Sequence, residues 1–453
     1  MIRMNPTLPQ KQAFHPVPEI VIKSADDFYF AFNVRSPNIV VMDSIGKEFL
    51  DLCDGKRGMA EIIDSLVSKY PNEVSRVELE AFARSMVTHS FLSTDPATIL
   101  QGPKKTSPVP LKLYANITRA CNLTCKYCYI DAGEPYQNEL DKEEWISEVE
   151  EFSQLGGREV VITGGEPFLR REIMYAVINT ARKQGIDKID VETNGTLIGE
   201  EDARFCRENS ATVFVGLGGA SAETHRQVRG GGFEYAVKGI RNLVAAGVET
   251  MMGMTLTRIN EHEAEDFVKL AKRLGAKTIS MNSVSPVGRA RKYPETAIPP
   301  QDMEPIVRSV VGEANELGVK TAFESVVMEA EQLPARNLCG AGSSLLSIAA
   351  NGDVYPCNNF QRTPYKAGNV REKRLAQIWA ESEVFRMLRR LDIADIAGCR
   401  DCEWRYICSG GCIAQTYHAT GTIMACSPYC SYYRSMYLML TTRIARKLWN
   451  KTQ

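Results

Sequence analysis

The alternation of apolar and polar residues divides the chain into three parts, and the first lies between about residues 20 and 96. Alternating apolar segments there predict short strands, and apolar residues at three- and four-residue steps then predict helices. The predicted strands are EIVIKS, FYFAFNV and NIVVMD, and the predicted helices are GKEFLDLC, MAEIIDSLVSKY and VELEAFARSMVTHSF. The proline-containing stretch that follows, QGPKKTSPVP, is typical of a linker.

From Leu111 the pattern changes to strands that alternate with amphipathic helices. The predicted strands are LKLYANIT, EVVITG, KIDVET, TVFVGL, ETMMGMTL and TISMNSV, and the helical stretches include EEWISEVEEFSQL, EIMYAVINTARKQG, YAVKGIRNLVAAG and EAEDFVKLAKRLG. This order predicts an α/β domain of parallel βα units. Six repeats fit a partial barrel better than the eight strands of a closed one. Beyond about Cys339 the periodicity fades into short loops, which predicts a segment that needs metal to hold it.

The composition agrees with a folded protein of several domains. The chain has 453 residues, of which 44% are hydrophobic and 24% charged, and this length predicts two or three domains. A net charge of −1 gives no reason to expect nucleic acid or a membrane as a partner. Because no apolar run is long enough to span a bilayer and the first residues do not resemble a signal peptide, we expect a cytoplasmic protein.

The thirteen cysteines are concentrated in two places. Three lie within residues 121–128 and eight lie beyond residue 338, and such clusters indicate metal binding rather than disulfides in a reducing compartment. Cys53 and Cys206 stand alone on helical faces among apolar neighbours, so we interpret them as buried thiols.

The first cluster, ACNLTCKYCY, places Cys121, Cys125 and Cys128 directly after the first strand of the predicted barrel. Three thiolates on one loop can hold three irons of a four-iron cluster and leave the fourth iron open to a small molecule. The alternative is a structural zinc ion, but zinc takes four ligands and the loop offers no fourth.

Over about residues 111–300 the chain resembles the radical S-adenosylmethionine (SAM) superfamily. The resemblance implies a partial (β/α)6 TIM barrel of the radical SAM type and reductive cleavage of SAM to a 5′-deoxyadenosyl radical. It also implies that Tyr127 contacts the adenine and that the backbone edge of Gly164, Gly165 and Glu166, in TGGEPFLR, meets the SAM amino group. In ETNGT, Asn194 is a candidate SAM contact, and the alternative is a turn asparagine.

One departure from that family lies at the end of the fourth strand. Relatives usually read S-L-D-G there, with polar side chains near the SAM ribose, whereas this chain reads GLGG from Gly216. We therefore expect the ribose contacts to come from elsewhere, and Asn282 and Ser280 are the candidates.

The second cysteine cluster resembles the SPASM extension of radical SAM enzymes, which holds two auxiliary four-iron clusters. In that resemblance the Asn-Gly turn of NGDVYPC delivers one ligand on a hairpin. The ligands implied for one cluster are Cys399, Cys402, Cys408 and Cys426, and those for the other are Cys339, Cys357 and Cys412. The ligand of the fourth iron in the cluster of Cys339, Cys357 and Cys412 is not assigned. Either that iron is open to substrate, or Cys430 or a non-cysteine group completes its ligands. The alternative is structural zinc.

The front part, about residues 20–96, resembles the PqqD-like fold, also called a recognition element for ribosomally made, post-translationally modified peptides (RiPPs). Such modules are similar to winged helices and bind a leader peptide as an added strand at a sheet edge. The alternative is a structural cap or a dimerisation module.

Together these features predict three domains: a PqqD-like α+β domain with its linker (1–105), the barrel (106–320), and a bridging region with the cysteine-rich SPASM domain (321–453). The resemblance implies SAM, three 4Fe–4S clusters, a precursor peptide and an electron donor such as flavodoxin or ferredoxin. The predicted function is a radical SAM/SPASM RiPP maturase that forms a thioether, carbon–carbon or carbon–oxygen bond.

Three other functions compete with this prediction. An anaerobic sulfatase maturase would place an acidic base where this chain has Asn358, and a PQQ- or mycofactocin-type enzyme would also modify a peptide. A non-catalytic electron-transfer protein would not need the first cysteine motif or GGEP. The candidates for a general base are Asp353, Glu324 and Tyr355, but none is assigned.

Overall fold

The computed structural model describes residues 9–95, 97, 108–322 and 337–452. The N-terminal domain combines a short two-stranded ladder, an antiparallel three-stranded sheet in the order β2-β3-β4, and three helices. Its strands are β1 (His15–Pro16), β2 (Ile20–Ser24), β3 (Tyr29–Asn33), β4 (Ser36–Met42) and β5 (Leu92–Ser93), and its helices are α1 (Ser44–Leu52), α2 (Met59–Lys69) and α3 (Arg76–Thr88). All three predicted strands and helices are present. Most of the predicted linker, residues 101–107, lies outside the described residues.

The side chains that begin α1 and α3 explain where those helices start. Asp43 accepts a hydrogen bond from the backbone of Gly46 at 2.7 Å, and Ser75 forms a capping box with Glu78. The core of the domain contains Phe49, which is fully buried. Cys53 is also fully buried there, and burial raises its pKa to about 12.

The second domain is the predicted partial barrel, which confirms the fold class. Its strands are β6 (Lys112–Thr118), β7 (Glu159–Gly164), β8 (Lys188–Thr193), β9 (Thr212–Leu217), β10 (Thr250–Leu256), β11 (Thr278–Ser283) and β12 (Lys320–Thr321). Its helices are α4 (Lys142–Gln154), α5 (Arg171–Lys183), α6 (Glu200–Glu208), α7 (Ala222–Arg229), α8 (Phe233–Ala245), α9 (Ala264–Leu274) and α10 (Pro300–Leu317). All neighbouring strands in this series are parallel.

Alternation along each strand decides which side chains face the helices. On β8, Ile189 and Val191 are buried in the main core, and Asp190 and Glu192, which alternate with them, face the inside of the barrel. Cys206 is buried in the same core, and burial raises its pKa to about 12. The inner face of β8 therefore carries polar side chains toward the inside of the barrel.

The third part of the chain continues the barrel sheet. It contains β13 (Leu345–Ile348), β14 (Asp353–Tyr355), β15 (Gly368–Asn369), α11 (Leu375–Glu381), α12 (Glu383–Arg390), α13 (Arg405–Cys408), α14 (Ile413–Thr420) and α15 (Cys430–Thr452). β13 pairs in parallel with β6, so the sheet has ten strands in the order β12-β11-β10-β9-β8-β7-β6-β13-β14-β15. β13 and β14 form the predicted hairpin around Asn351 and Gly352. Every helix in the described ranges is too short or too polar to cross a bilayer.

Candidate active site

A pocket lies at the carboxyl ends of the barrel strands, where the loop after β6 carries the three clustered cysteines. Its lining includes seven of the predicted site residues: Cys121, Cys125, Tyr127, Cys128, Gly164, Gly165 and Asn194. The parallel strands bring these residues together because their carboxyl ends meet at one edge of the sheet. The candidate ribose contact Asn282 also lines this pocket, whereas Ser280 lines a neighbouring cavity.

The two glycines of GGEP lie against the cysteine loop. A Cβ on Gly164 would overlap the carbonyl oxygen of Thr118, and a Cβ on Gly165 would overlap that of Ala120. Gly165 also donates its N–H to the carbonyl of Thr118 at 2.7 Å. These glycines therefore let β7 close onto the loop that presents the cysteines, in addition to the approach to a ligand that the sequence suggested.

Glu166 does not line the pocket with its side chain. The carboxylate is fully buried and accepts hydrogen bonds from the hydroxyl of Thr193 at 2.7 Å, the N–H of Asn194 at 2.7 Å and the N–H of Phe168 at 3.1 Å. Burial raises the pKa of Glu166, and these hydrogen bonds oppose the rise. Its side chain thus fixes the end of β8 to the turn after β7.

Asn194 makes the hydrogen bonds of a turn asparagine and also lines the pocket. Its side-chain oxygen accepts hydrogen bonds from the N–H and hydroxyl of Thr196, as a turn asparagine does. Its side-chain amide donates to Asn122 in the cysteine loop at 2.8 Å. The residue therefore links the end of β8 to the cysteine loop while it lines the pocket.

Arg229, the last residue of α7, was not predicted as a site residue from the sequence. This side chain lies in the space left by the glycines of GLGG, since a Cβ on Gly216 would stand 2.7 Å from its guanidinium. Arg229 donates to the carbonyl of Gly216 and, at 3.1 Å, to the sulfur of Cys125. It is 9% exposed, so it places a buried positive charge beside the cysteines. Two glycines where relatives have polar residues were the signal that another side chain fills this space.

A second missed residue is Glu192, on the inner face of β8. It is the one carboxylate among the described residues that line the pocket. Burial raises its pKa, and a hydrogen bond with Thr163 opposes the rise. The phenol of Tyr129, which also lines the pocket, lies close enough for Glu192 to raise its pKa after burial. The pocket therefore carries both a guanidinium, that of Arg229, and a carboxyl group.

Arg289 anchors the cysteine loop from the end of the barrel. Its guanidinium donates to the carboxylate of Asp131 at 3.0 Å, to the carbonyl of Cys125 at 2.9 Å and to the carbonyl of Ala132. The loop is thus held in place by protein contacts on two sides.

The three cysteines of this loop are candidate ligands for a four-iron cluster. In a four-iron cluster each iron takes its own thiolate, so the sulfurs stand further apart than around tetrahedral zinc. Burial raises the pKa of Cys121 to about 11 and also raises that of Cys128, so these thiols release protons when a cluster binds.

The second cysteine array separates into two groups. In the first, burial and then the neighbouring Cys412 and Cys339 raise the pKa of Cys357. The amide of Asn359 donates to the sulfur of Cys412 at 3.7 Å, and all three cysteines pack against one small hydrophobic cluster. These are the three residues that the resemblance assigned to one auxiliary cluster.

The second group contains Cys430 together with three of its predicted members, Cys399, Cys402 and Cys408, which line one cavity with it. Cys426, the fourth predicted ligand, has its sulfur 3.8 Å from that of Cys399, but it does not line this cavity. Cys430 therefore lies beside Cys399, Cys402 and Cys408. In the sequence it was one of the candidates for the fourth ligand of the cluster that includes Cys357. The group offers five thiols for four irons.

The candidates for a general base have other partners. Asp353 lies on the hairpin, 2.5 Å from the ammonium of Lys366, and Tyr355 is buried in a hydrophobic cluster. Glu324 lies outside the described residues. Asn358 accepts hydrogen bonds from Asn116 at 2.9 Å and from Ser347 at 2.7 Å. A neutral amide held by two donors is not a base, which disfavours the acidic-base chemistry of a sulfatase maturase.

Comparison with protein families gives three matches along the chain. The model of the radical SAM superfamily matches residues 115–271, and that of an iron–sulfur cluster-binding domain, SPASM, matches residues 339–403. The model of coenzyme PQQ synthesis protein D (PqqD) matches residues 29–92. The domain boundaries predicted from the sequence stay a prediction.

Several characterised relatives are similar over most of their length. The AdoMet-dependent heme synthase of Oleidesulfovibrio alaskensis is 31% identical over 376 residues, which cover 77% of this chain and 93% of that protein. The mycofactocin maturase MftC of Mycobacterium ulcerans is 31% identical over 313 residues, which cover 67% of this chain and 83% of that protein.

Two solved structures share the fold. The structure of anSMEcpe with bound AdoMet covers 76% of this chain and 100% of its own, with a TM-score of 0.62 and 20% identity. That of Streptococcus suis SuiB bound to the precursor peptide SuiA covers 92% of this chain and 98% of its own, with a TM-score of 0.58 and 16% identity.

Proposed function

The chain belongs to the radical SAM superfamily, and we propose that it modifies a ribosomally made precursor peptide whose leader binds to the N-terminal domain. As a member of this superfamily it is an enzyme that binds SAM and iron–sulfur clusters. Cleavage of the bound SAM supplies a 5′-deoxyadenosyl radical, which takes a hydrogen atom from the substrate.

The open edge of the N-terminal sheet carries this proposal. Among the described residues β4 pairs only with β3, so its outer edge can accept an extended peptide as a further strand. The PqqD model matches this domain. The likeness to SuiB, which extends over 92% of the chain and was solved with a precursor peptide, supports the same assignment.

We assign separate roles to the residues of the pocket. Cys121, Cys125 and Cys128 would hold the SAM-cleaving cluster, and Arg229 would neutralise the SAM carboxylate. Tyr127 would lie against the adenine. The backbone of Gly164, Gly165 and Glu166 would accept from the SAM amino group, and Asn282 would reach the ribose.

The auxiliary cysteines would hold two further four-iron clusters. Cys339, Cys357 and Cys412 would hold one and leave an iron open to the peptide. Cys399, Cys402, Cys408 and Cys430 would hold the other, in place of the set with Cys426. Flavodoxin or ferredoxin would supply the electron that cleaves SAM. As the substrate radical closes a thioether, carbon–carbon or carbon–oxygen bond, an auxiliary cluster would accept the electron that the substrate loses.

The test is anaerobic co-expression of the chain with each short open reading frame encoded beside its gene, followed by mass spectrometry of the peptide. We expect one peptide to lose the hydrogens that a new bond displaces, and the Cys125→Ala variant to leave its mass unchanged. If the wild type produces 5′-deoxyadenosine with SAM and dithionite but changes none of these peptides, the peptide substrate is wrong while the radical chemistry stands.

A second candidate function is heme synthesis, because the heme synthase of Oleidesulfovibrio alaskensis aligns over 93% of its length. That alignment leaves about a quarter of this chain uncovered, so it gives no reason for an added peptide-binding domain. Expression in a heme-requiring bacterial strain separates the two candidates, since only a heme synthase would restore growth without added heme.

A further inference from the structure

We propose that the N-terminal domain contributes to the auxiliary cluster site at Cys402. It sets the reduction potential of that cluster and couples the cluster to the open edge of β4. This inference rests on the proposed ligands Cys399, Cys402, Cys408 and Cys430. It goes beyond leader binding, because it gives the domain an effect on the cluster.

The first support is the loop that follows Cys402, in which three consecutive residues each contact the N-terminal domain. Glu403 accepts a hydrogen bond from Lys23 of β2 at 2.9 Å. The ring of Trp404 stacks on Phe32 of β3, with 4.8 Å between the ring centroids. Arg405 donates to the carboxylate of Glu19, directly before β2. The loop that presents a proposed iron ligand is thus bound to the domain at three successive side chains.

The N-terminal sheet is apolar on both faces, which explains why it docks in this way. On β3, Ala31 faces the domain's own helices. Phe30 and Phe32 point the other way and are fully buried in a cluster with Trp404. Cys402 and Cys408 pack against the same cluster. Because burial of apolar side chains is favourable, the second face stabilises docking against the cysteine loop.

The second support comes from the helix that begins at Cys430. Within α15, Ile444 and Ala445 pack in the clusters that contain Ile39 and Val41 of β4. β4 is the strand whose outer edge would accept the peptide. A peptide that pairs with the outer edge of β4 therefore restrains the strand against which α15, the helix that begins at Cys430, packs.

The third support is electrostatic. The guanidinium of Arg405 is 6% exposed and donates to the carbonyl of Cys402 at 3.2 Å, so its charge lies beside the proposed cluster. Glu19 accepts from both Arg405 and Arg35 and neutralises charge at this point. Glu19 also has a φ of 70°, a conformation that non-glycine residues rarely adopt, and it persists because these contacts hold it.

The charges give the sign of the expected effect. A four-iron cluster gains a negative charge when it is reduced, and its potential depends on nearby charge, hydrogen bonds and exposure to solvent. Removal of the Glu19 charge leaves Arg405 unpaired, which stabilises the reduced cluster and raises its potential. Removal of the Arg405 charge lowers the potential.

The test is a redox titration followed by electron paramagnetic resonance. The full-length chain is used with Cys121, Cys125 and Cys128 replaced by alanine, so that only auxiliary clusters contribute. We expect Glu19→Gln to raise the midpoint potential of one auxiliary cluster, Arg405→Gln to lower it, and the double variant to lie between them. The matched control is Glu48→Gln, whose carboxylate pairs with Lys69 within the N-terminal domain.

The proposed coupling between β4 and the auxiliary cluster is tested by the rate at which a chelator removes iron. We expect Ile39→Ala, on the face against α15, to speed iron loss, and Val40→Ala, on the opposite face, to leave the rate unchanged. Equal potentials in the Glu19→Gln and Glu48→Gln proteins, or equal rates of iron loss in the two β4 variants, would overturn the inference. Iron is counted first: a chain that binds no auxiliary cluster contradicts the proposed function instead.

Discussion

The pocket at the end of the barrel and the auxiliary cysteine region reach similar chemistry by different means. In the barrel, Gly165, Arg229 and Arg289 hold the cysteine loop through contacts between protein atoms. Most of the auxiliary cysteines lie on short loops and small helices, Cys430 begins the long helix α15, and one of the two groups packs against the N-terminal domain.

The difference teaches which of the two sites the chain can form without metal. A site whose residues are already held in place by hydrogen bonds within the protein needs the cluster only for its chemistry. A site built from short loops with little core depends on its metal for structure as well, since the binding free energy then contributes to folding. The following predictions test this contrast.

The largest contrast is expected when cysteines are removed. Replacement of Cys121, Cys125 and Cys128 by alanine should abolish 5′-deoxyadenosine formation and leave amide hydrogen exchange of the barrel unchanged. Replacement of Cys399 and Cys402 should instead speed exchange across the loops from about residue 393 to residue 430. If exchange in both regions responds alike, the contrast is wrong.

Arg229 tests whether the protein itself prepares the pocket for SAM. Arg229→Gln removes a buried charge next to Cys125, and loss of one partner from such a pair costs about 2 kcal/mol or more. We expect SAM to bind about 30-fold more weakly, measured by equilibrium dialysis with the iron content matched. Arg226→Gln, in the same helix but exposed and paired with Glu223, is the control and should bind SAM normally.

Gly165 tests how closely the loop packs on β7. Gly165→Ala should destabilise the protein by about 1–3 kcal/mol, because the added methyl overlaps the carbonyl of Ala120. Gly133→Ala is the control, since a Cβ there meets no atom within 4 Å. Urea unfolding measures both variants, and equal stabilities would show that the loop adapts.

Two buried histidines extend the comparison to acid. Burial lowers the pKa of His225, in the barrel, to about 4, so the unfolded chain binds more protons below pH 6.5 and stability falls as the pH falls. This histidine should make the protein less stable by about 2 kcal/mol at pH 5 than at pH 8. His225→Gln should remove that part of the pH dependence in urea unfolding, and an unchanged slope would contradict the assignment.

Burial also lowers the pKa of His418, in the auxiliary region. His418→Gln should flatten the slope less, because that ring is half-buried whereas His225 is fully buried.

The smallest effect is expected where the two regions meet. The carboxylate of Glu151, on α4, accepts hydrogen bonds from the N–H groups of Leu375 and Ala376 at 3.1 and 3.3 Å and so caps α11. Glu151→Ala should cost about 1 kcal/mol in thermal unfolding. Glu150→Ala, whose carboxylate contacts Gln184 instead, should cost less.

The sequence predicted the strands well because alternation is a local property. EVVITG, KIDVET and TVFVGL coincide with β7, β8 and β9. The same alternation places Glu192 on the inner face of β8, so that residue was readable from the sequence. Arg229 was not, because its position depends on how α7 packs over the end of β9. The position of Cys430 was left open because spacing along the chain does not say which thiols lie together; the structure places it on one cavity with Cys399, Cys402 and Cys408.

The pairing of β13 with β6 also affects how the protein is made. Residue 112 pairs with residue 345, so the first edge of the barrel sheet meets its neighbour only after about 230 more residues have been added. At roughly 5–20 residues per second of synthesis, this edge stays uncovered for about 10–50 s. An unpaired strand edge invites association with other chains. Chaperone supply and the rate of translation between the two strands should therefore influence the yield of folded protein.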